Sequence, residues 1–275
     1  MHVDDEHLHR RRILRLRPRK SNPERARRFR RGVYLLPSMF TMANMFCGYA
    51  CIVHAMRAEL STAALFIGFA FVLDMLDGRI ARMTGTTSAF GLEFDSLADV
   101  ISFGVAPAIL SFKWGLEPLG QVGWAAGFLF VAAAALRLAR FNIQAATQDK
   151  RYFVGLPSPA AAVVPAATVF AYPAGFQGYA EAWPVLSMVI VPALLMVSTI
   201  RYRSFKSLDL QARRSYPVLF LLAVGLAVLA SSPRFLLLAM AYTYLASAFI
   251  GLAWHRLRRR PSHKEESEEL LAERR

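Results

Sequence analysis

The sequence predicts an all-α, polytopic membrane helix bundle of about eight transmembrane helices with cytoplasmic termini. Three observations predict it. Hydrophobic residues make up 55% of the 275, more than an ordinary soluble domain carries. The excess is gathered into long uncharged runs, such as 215–232 and 235–254. Runs of ~18 or more apolar residues are long enough to cross a bilayer as helices. The basic residues fall mainly in the tails and in the short intervals between runs.

Eight apolar segments can be marked in order: 36–56, 61–78, 92–112, 122–144, 158–176, 183–200, 215–232 and 234–255. Pro107, Pro165 and Pro192 fall inside three of them, which membrane helices tolerate where neighbours satisfy the freed backbone groups. An even span count puts both termini on one side. That side then holds thirty of the thirty-three Lys and Arg, and the opposite side keeps only Arg57, Lys113 and Arg234. Positive charge marks the cytoplasmic face. A six-span chain would also keep both termini inside, but must place two apolar runs elsewhere.

The domains expected are a basic cytoplasmic tail over 1–31, a membrane domain over 32–256 and a charged cytoplasmic tail over 257–275. Residues 23–36 interleave arginines with Phe29, Val33, Tyr34 and Leu35. That pattern suits an amphipathic helix on anionic headgroups. The start is too long and too basic for a cleaved secretory signal. The formal charge of +14 is topogenic on this reading, and no nucleic-acid partner is expected. Cys47 and Cys51 sit four apart in one apolar segment, where a small buried hydrophobe is the ordinary role.

Four aspartates stand out against this background. Asp74 and Asp77 close the second segment, and Asp95 and Asp99 open the third. A charge at mid-bilayer costs on the order of 2.5–3.5 kcal/mol on insertion scales, and four together also repel one another. Spacings of three and four place each pair on one helix face. A short turn over 83–90 makes the two helices antiparallel neighbours, so the two faces meet at one depth. Either some carboxylates are protonated, as in a proton relay, or cations neutralise them. Four carboxylates balance two divalent ions, and oxygen ligands suit Mg²⁺ or Mn²⁺. A metal pair ~3.5–4 Å apart is a recurring clamp for in-line phosphoryl displacement. Gly78, Ala81 and Gly91 clear space around the acids, and Arg82 offers a guanidinium to a phosphate. Small flanking residues favour the metal reading over a relay.

The string Asp74-x2-Asp77-Gly78-x2-Ala81-Arg82-x8-Gly91-x3-Asp95-x3-Asp99 resembles the signature of the CDP-alcohol phosphotransferase family at all eight of its positions. The stretches 36–44, 91–107, Arg137-x2-Arg140-x-Asn142, 153–159 and 202–206 resemble its integral-membrane, serine-accepting branch, the phosphatidylserine synthases. Ser38 departs from that pattern, where Asn is expected. The resemblance implies a helical membrane core, two divalent cations (Mg²⁺ or Mn²⁺), CDP-diacylglycerol and L-serine as substrates, and a homodimer. It implies Asp74, Asp77, Asp95 and Asp99 as metal ligands and Asp99 as general base. Gly78, Ala81, Arg82 and Gly91 would line the nucleotide site.

Arg137, Arg140 and Asn142, at the cytoplasmic end of the fourth segment, are expected to take the acceptor's carboxylate or the donor's phosphates. The ordinary alternative is that the two arginines anchor a helix end among headgroups. Arg151, Arg203 and Lys206 are weaker candidates. Glu93 lies off the Asp95–Asp99 face, and His54 falls at the outer end of the first span in a structural role. Two other readings stand beside this one: the same chemistry with glycerol phosphate or inositol phosphate as acceptor, and a transporter for divalent cations or protons. A bacterial inner membrane, with the active site facing the cytoplasm, is the location expected.

Overall fold

A computed structural model describes residues 23–84, 88–145, 153–198, 201–202 and 231–258, with side chains left out at 23–37, 81–82, 84, 145, 153–154, 201–202 and 248–258. The described elements are helical apart from one short bridge. Helix α1 runs Pro23–Met56, α2 Leu60–Thr84 and α3 Ala89–Val100. A π-helical turn, Ile101–Val105, carries α3 into α4 at Ala106–Ser111. A second wide turn, Phe112–Leu116, and a 3-10 turn, Glu117–Leu119, complete that rod. Helix α5 is Gln121–Ala145, α6 Ser158–Ala171, α7 Ala182–Val197 and α8 Pro233–Arg258. Strands Phe153–Val154 and Arg201–Tyr202 pair antiparallel, Phe153 opposite Tyr202.

Among the described residues, four helical stretches are long and apolar enough to cross a membrane: Ser38–Met56, Leu60–Ile80, Ala89–Leu119 and Gln121–Gln144. They match the first four expected spans, and the third continues beyond 112 to Leu119. The fifth and sixth are shorter than expected. Helix α6 has 14 residues and α7 has 16, so at ~1.5 Å per residue both fall short of a ~30 Å hydrocarbon core. Helix α6 stops because Tyr172 leaves helical geometry at φ −129 and ψ 69, as a residue ahead of a proline tends to do. Helix α7 stops where Ser198 turns extended. The seventh expected span lies outside the described residues except at its end, and α8 contains the eighth. The interfacial helix expected over 23–36 is helical and continuous with the first span. Its amphipathic side chains lie outside the described residues, as do the tails 1–22 and 259–275.

Helices α1 and α2 pack through small residues. Cys47, Cys51 and Ala55 follow one face of α1, and Ala63, Ala64, Ile67 and Ala70 line α2. Such residues let helix backbones approach closely in a bilayer, where lipid offers no hydrophobic drive for association. Both cysteines are free and buried. Between the two helices the chain reverses at Ala58, which takes the left-handed value φ 60. Opposite faces carry large exposed apolar side chains: Met39, Phe46 and Tyr49 on α1, Phe69 and Met75 on α2, Trp124 and Phe128 on α5. An apolar shell of this extent is what lipid contact requires.

The first wide turn has a local cause. Pro107 has no N–H to give to the carbonyl one turn back. The ladder instead widens, and the Ala106 N–H donates to the carbonyl of Ile101. This turn begins two residues after Asp99, so it lies directly beneath the acids.

Candidate active site

Helix α2 delivers Asp74 and Asp77 near its C-terminal end, and α3 delivers Asp95 and Asp99. Ser88 caps α3, its hydroxyl accepting from the Gly91 N–H at 2.9 Å. That cap fixes where the helix starts and therefore the depth of Asp95, one turn later. Asp74, Asp95 and Asp99 each present a carboxylate oxygen within 4.8 Å of the other two. Asp77 is buried beside them, within reach of the charges of Asp95 and Asp74. Acids from two helices thus share one small volume, as their spacing predicts, with Asp77 slightly apart from the closest three.

Asp77 is set apart by a partner from α1. The Thr41 hydroxyl donates to Asp77 Oδ2 at 3.3 Å. Three residues on, the Asn44 side-chain amide donates to Asp99 Oδ1 at 3.2 Å. The first helix therefore serves two of the four acids, a function that reading the acids alone does not assign to it. A signal was available: Thr41, Asn44 and Gly48 recur on one face of an apolar helix, and small or polar residues in such a pattern mark a packing seam.

Arg137 reaches the same volume from α5. Its guanidinium donates to the Ser158 hydroxyl at 2.7 Å, and its charge acts on Asp99 and Asp74. Ser158 is fully buried. It is held there by the chain reversal ahead of α6, where Gly155 adopts φ 86. A Cβ at 155 would lie 2.5 Å from the carbonyl oxygen of Met196, so only glycine fits. The next residue ties the reversal to α7 through the Leu156 N–H and Leu195 carbonyl at 3.0 Å. Gly155 and Leu156 thus hold the reversal that places the serine bonded to Arg137.

The other expected site residues fall as follows. Asn142 donates to Ser96 Oγ at 2.9 Å, tying α5 to α3 beside Asp95. Arg140 is half-buried one turn from Arg137. Gly78 follows Asp77 within α2, and a Cβ on Gly91 would meet only Ser88 Oγ, at 3.1 Å. Ala81 and Arg82 belong to α2, but their side chains lie outside the described residues, as do Arg151, Arg203 and Lys206. Glu93 is exposed. His54 pairs with Glu59 and stacks on Phe66 at 5.2 Å, at the end of α1 remote from the acids.

The donor set fits a hard divalent cation. It is all oxygen, three carboxylates converge, and Asp95 Oδ1 is buried with no hydrogen-bond partner. Buried acceptors without partners are rare in folded proteins and call for a ligand. Asn44 Oδ1 and Arg137 Nε are buried without partners as well. The site thus offers carboxylate oxygens, an amide oxygen and a guanidinium N–H together, the groups needed to hold cations and a phosphate.

An apolar cavity of about 690 Å³ adjoins this cluster between α2, α6 and α8. Asp74 and Tyr244 line it, with Gly68, Phe71, Ala160 and Ala241 among the apolar walls. Leu65, Val72, Met75 and Met240 also line it and are exposed, so among the described residues it opens sideways onto the lipid-facing surface.

The sequence of residues 34–200 matches the family model described as CDP-alcohol phosphatidyltransferase. The chain belongs to the CDP-alcohol phosphatidyltransferase family. A relative from Helicobacter pylori (strain ATCC 700392 / 26695), named CDP-diacylglycerol–serine O-phosphatidyltransferase, is 41% identical over 194 residues, 70% of this chain and 81% of its own. One of the same name from Mycobacterium leprae (strain TN) is 33% identical, covering 86% of this chain and 81% of its own. An archaetidylserine synthase from Methanothermobacter thermautotrophicus is 38% identical, over 61% and 69% of the two chains. The family region contains all four acids, Arg137 and Ser158. Helix α8, which contributes Tyr244 and Ala241 to the cavity, lies beyond it.

Proposed function

We propose that this protein transfers the phosphatidyl group of CDP-diacylglycerol to the hydroxyl of L-serine, forming phosphatidylserine and CMP. The observation that carries the reading is the meeting of the Asp74, Asp95 and Asp99 carboxylates at the polar end of a side-opening apolar cavity. A lipid that carries a pyrophosphate needs both parts at once. The relatives' names support serine as acceptor.

In this reading the diacylglycerol chains stay in the cavity between α2, α6 and α8, and the phosphates lie over the acids. Asp74, Asp77, Asp95 and Asp99 would hold two divalent cations, Mg²⁺ or Mn²⁺, which when bound offset the negative charge of the phosphates and of the reaction's transition state. Gly78, Ala81, Arg82 and Gly91 line the nucleotide side. Asp99 accepts the proton of the serine hydroxyl as that oxygen bonds to the lipid-side phosphorus. The bond from that phosphorus to the bridging oxygen breaks, and CMP leaves with the electron pair. Arg137, oriented by Ser158, binds the phosphates or the serine carboxylate, where a guanidinium matches planar oxyanions. Arg140 and Asn142 complete that side.

The protein would sit in a bacterial inner membrane as an eight-span bundle with cytoplasmic termini and the acids facing the cytoplasm, where both serine and CMP are soluble. The test is CMP release by the purified protein with CDP-diacylglycerol and Mg²⁺ or Mn²⁺, comparing serine, glycerol phosphate and inositol phosphate. Serine-dependent release is the expected result. Release with another acceptor alone would reassign the substrate. Absence of metal-dependent CDP binding would favour a cation transporter.

A further inference from the structure

Helix α1 is joined to the acid-bearing rod by a latch of four residues. Asn44 is fully buried, and its amide donates to Asp99 Oδ1 at 3.2 Å. Its main-chain carbonyl accepts from Ser102 Oγ at 2.9 Å. Asp99 and Ser102 are three residues apart, so one face of the rod grips Asn44 at both side chain and backbone. Gly48, one turn along α1, makes the grip possible. A Cβ there would lie 2.6 Å from Ser102 Oγ and 2.7 Å from its Cα, and the backbone Cα is not able to step aside as a flexible side chain can. Ser102 belongs to the π-helical turn Ile101–Val105, a rare backbone form that recurs at functional sites.

A carboxylate on a free side chain rotates about two bonds, and one that must meet a hydroxyl proton gains from being fixed. Asp99 is fixed by a donor that comes from outside its own helix and beyond the acid signature. We propose that Asn44 is the positioning residue for Asp99: its amide, locked by Ser102 and by the close approach at Gly48, sets the plane of the Asp99 carboxylate against Asp74 and Asp95. This role rests on the proposed reaction, in which Asp99 takes the serine proton. Partners that orient such groups from behind typically contribute about 10–100-fold to activity.

The test uses the full-length protein in lipid, with serine-dependent CMP release measured at saturating substrates. Serine-dependent release by the wild type must first be seen; its absence would defeat the proposed reaction rather than the latch. Given that activity, Asn44→Ala is expected to lower kcat about 10–100-fold, with KM for serine and for CDP-diacylglycerol within about threefold of wild type. Metal-dependent CDP binding is expected to persist, which shows a folded site. Gly48→Ala, which keeps the amide but forces Ser102 away, is expected to lower kcat in the same direction. A kcat within twofold of wild type for Asn44→Ala would overturn the role. So would loss of CDP binding in step with kcat in both variants, since that reports a collapsed site rather than a misaimed carboxylate.

Discussion

Asp99 and Asp95 carry the same functional group in different surroundings. Asp99 is buried and held by Asn44, whereas Asp95 leaves Oδ1 buried without a partner. Their amide variants should therefore fail differently. Asp99→Asn still accepts from Asn44 and stays in place, but it has no basic oxygen to receive a proton. Its turnover is expected to fall by about 10²–10⁴-fold, the range for a lost general base, while CDP binding in the presence of Mg²⁺ persists. Wild-type turnover from this variant would refute its role. Asp95→Asn should instead shift the Mg²⁺ or Mn²⁺ concentration needed for half-maximal rate upward, in addition to lowering the rate, as a metal titration would show. The four acids were legible in the sequence because charge inside an apolar helix has few explanations and their spacing left one common volume. Asn44 and Ser158 were not singled out. Each is a small polar residue whose partner lies on another helix, 55 and 21 residues away, and a single sequence does not specify which helices touch.

Among the elements, α2, α6 and α8 make the cavity, and Gly68 is its most permissive wall. A Cβ at 68 would meet nothing within 4 Å. Gly68→Leu is therefore expected to fill space without straining the helix. KM for long-chain CDP-diacylglycerol should rise about tenfold, equivalent to ~1.4 kcal/mol, and short-chain donors should relieve the effect. An unchanged KM across chain lengths would mean that the lipid lies elsewhere. Helix identity was legible from apolar runs, and the first four spans fall where those runs predict. Helix ends were less so. Hydropathy continues past Ala171, but backbone geometry changes ahead of Pro173, and the helix stops there. The wide turns were also hidden, because nothing in Ile101–Val105 is unusual until Pro107 is considered two residues further on.

On the scale of the whole molecule, orientation and cation dependence can be tested together. In the proposed orientation, with both termini and the acids cytoplasmic, Ser21→Cys and Ser262→Cys should react with an impermeant thiol reagent only in inside-out vesicles. Gln177→Cys should react only from the opposite face. The native thiols do not interfere, since Cys47 and Cys51 are buried. Labelling of positions 21 and 262 from opposite faces would exclude an even number of spans. Chelation of divalent ions should abolish CMP release, and added Mg²⁺ or Mn²⁺ should restore it. Release that survives chelation would leave the acid cluster without its proposed counter-ions.

The π-helical turn between Asp99 and Pro107 has a consequence for how the rod tolerates change in length. An α-helix advances about 100° per residue, so a turn with one extra residue sets the angular phase of the acid-bearing half against that of the half buried around Ala106 and Leu110. Because the wide turn takes up its extra residue within its own longer ring, deleting one residue from 101–105 would restore a regular ladder with Asp95 and Asp99 still turned toward α2. A residue inserted there, with no further turn to absorb it, would instead swing both acids about a quarter-circle away, leaving every residue of the signature present but aimed at the wrong neighbour.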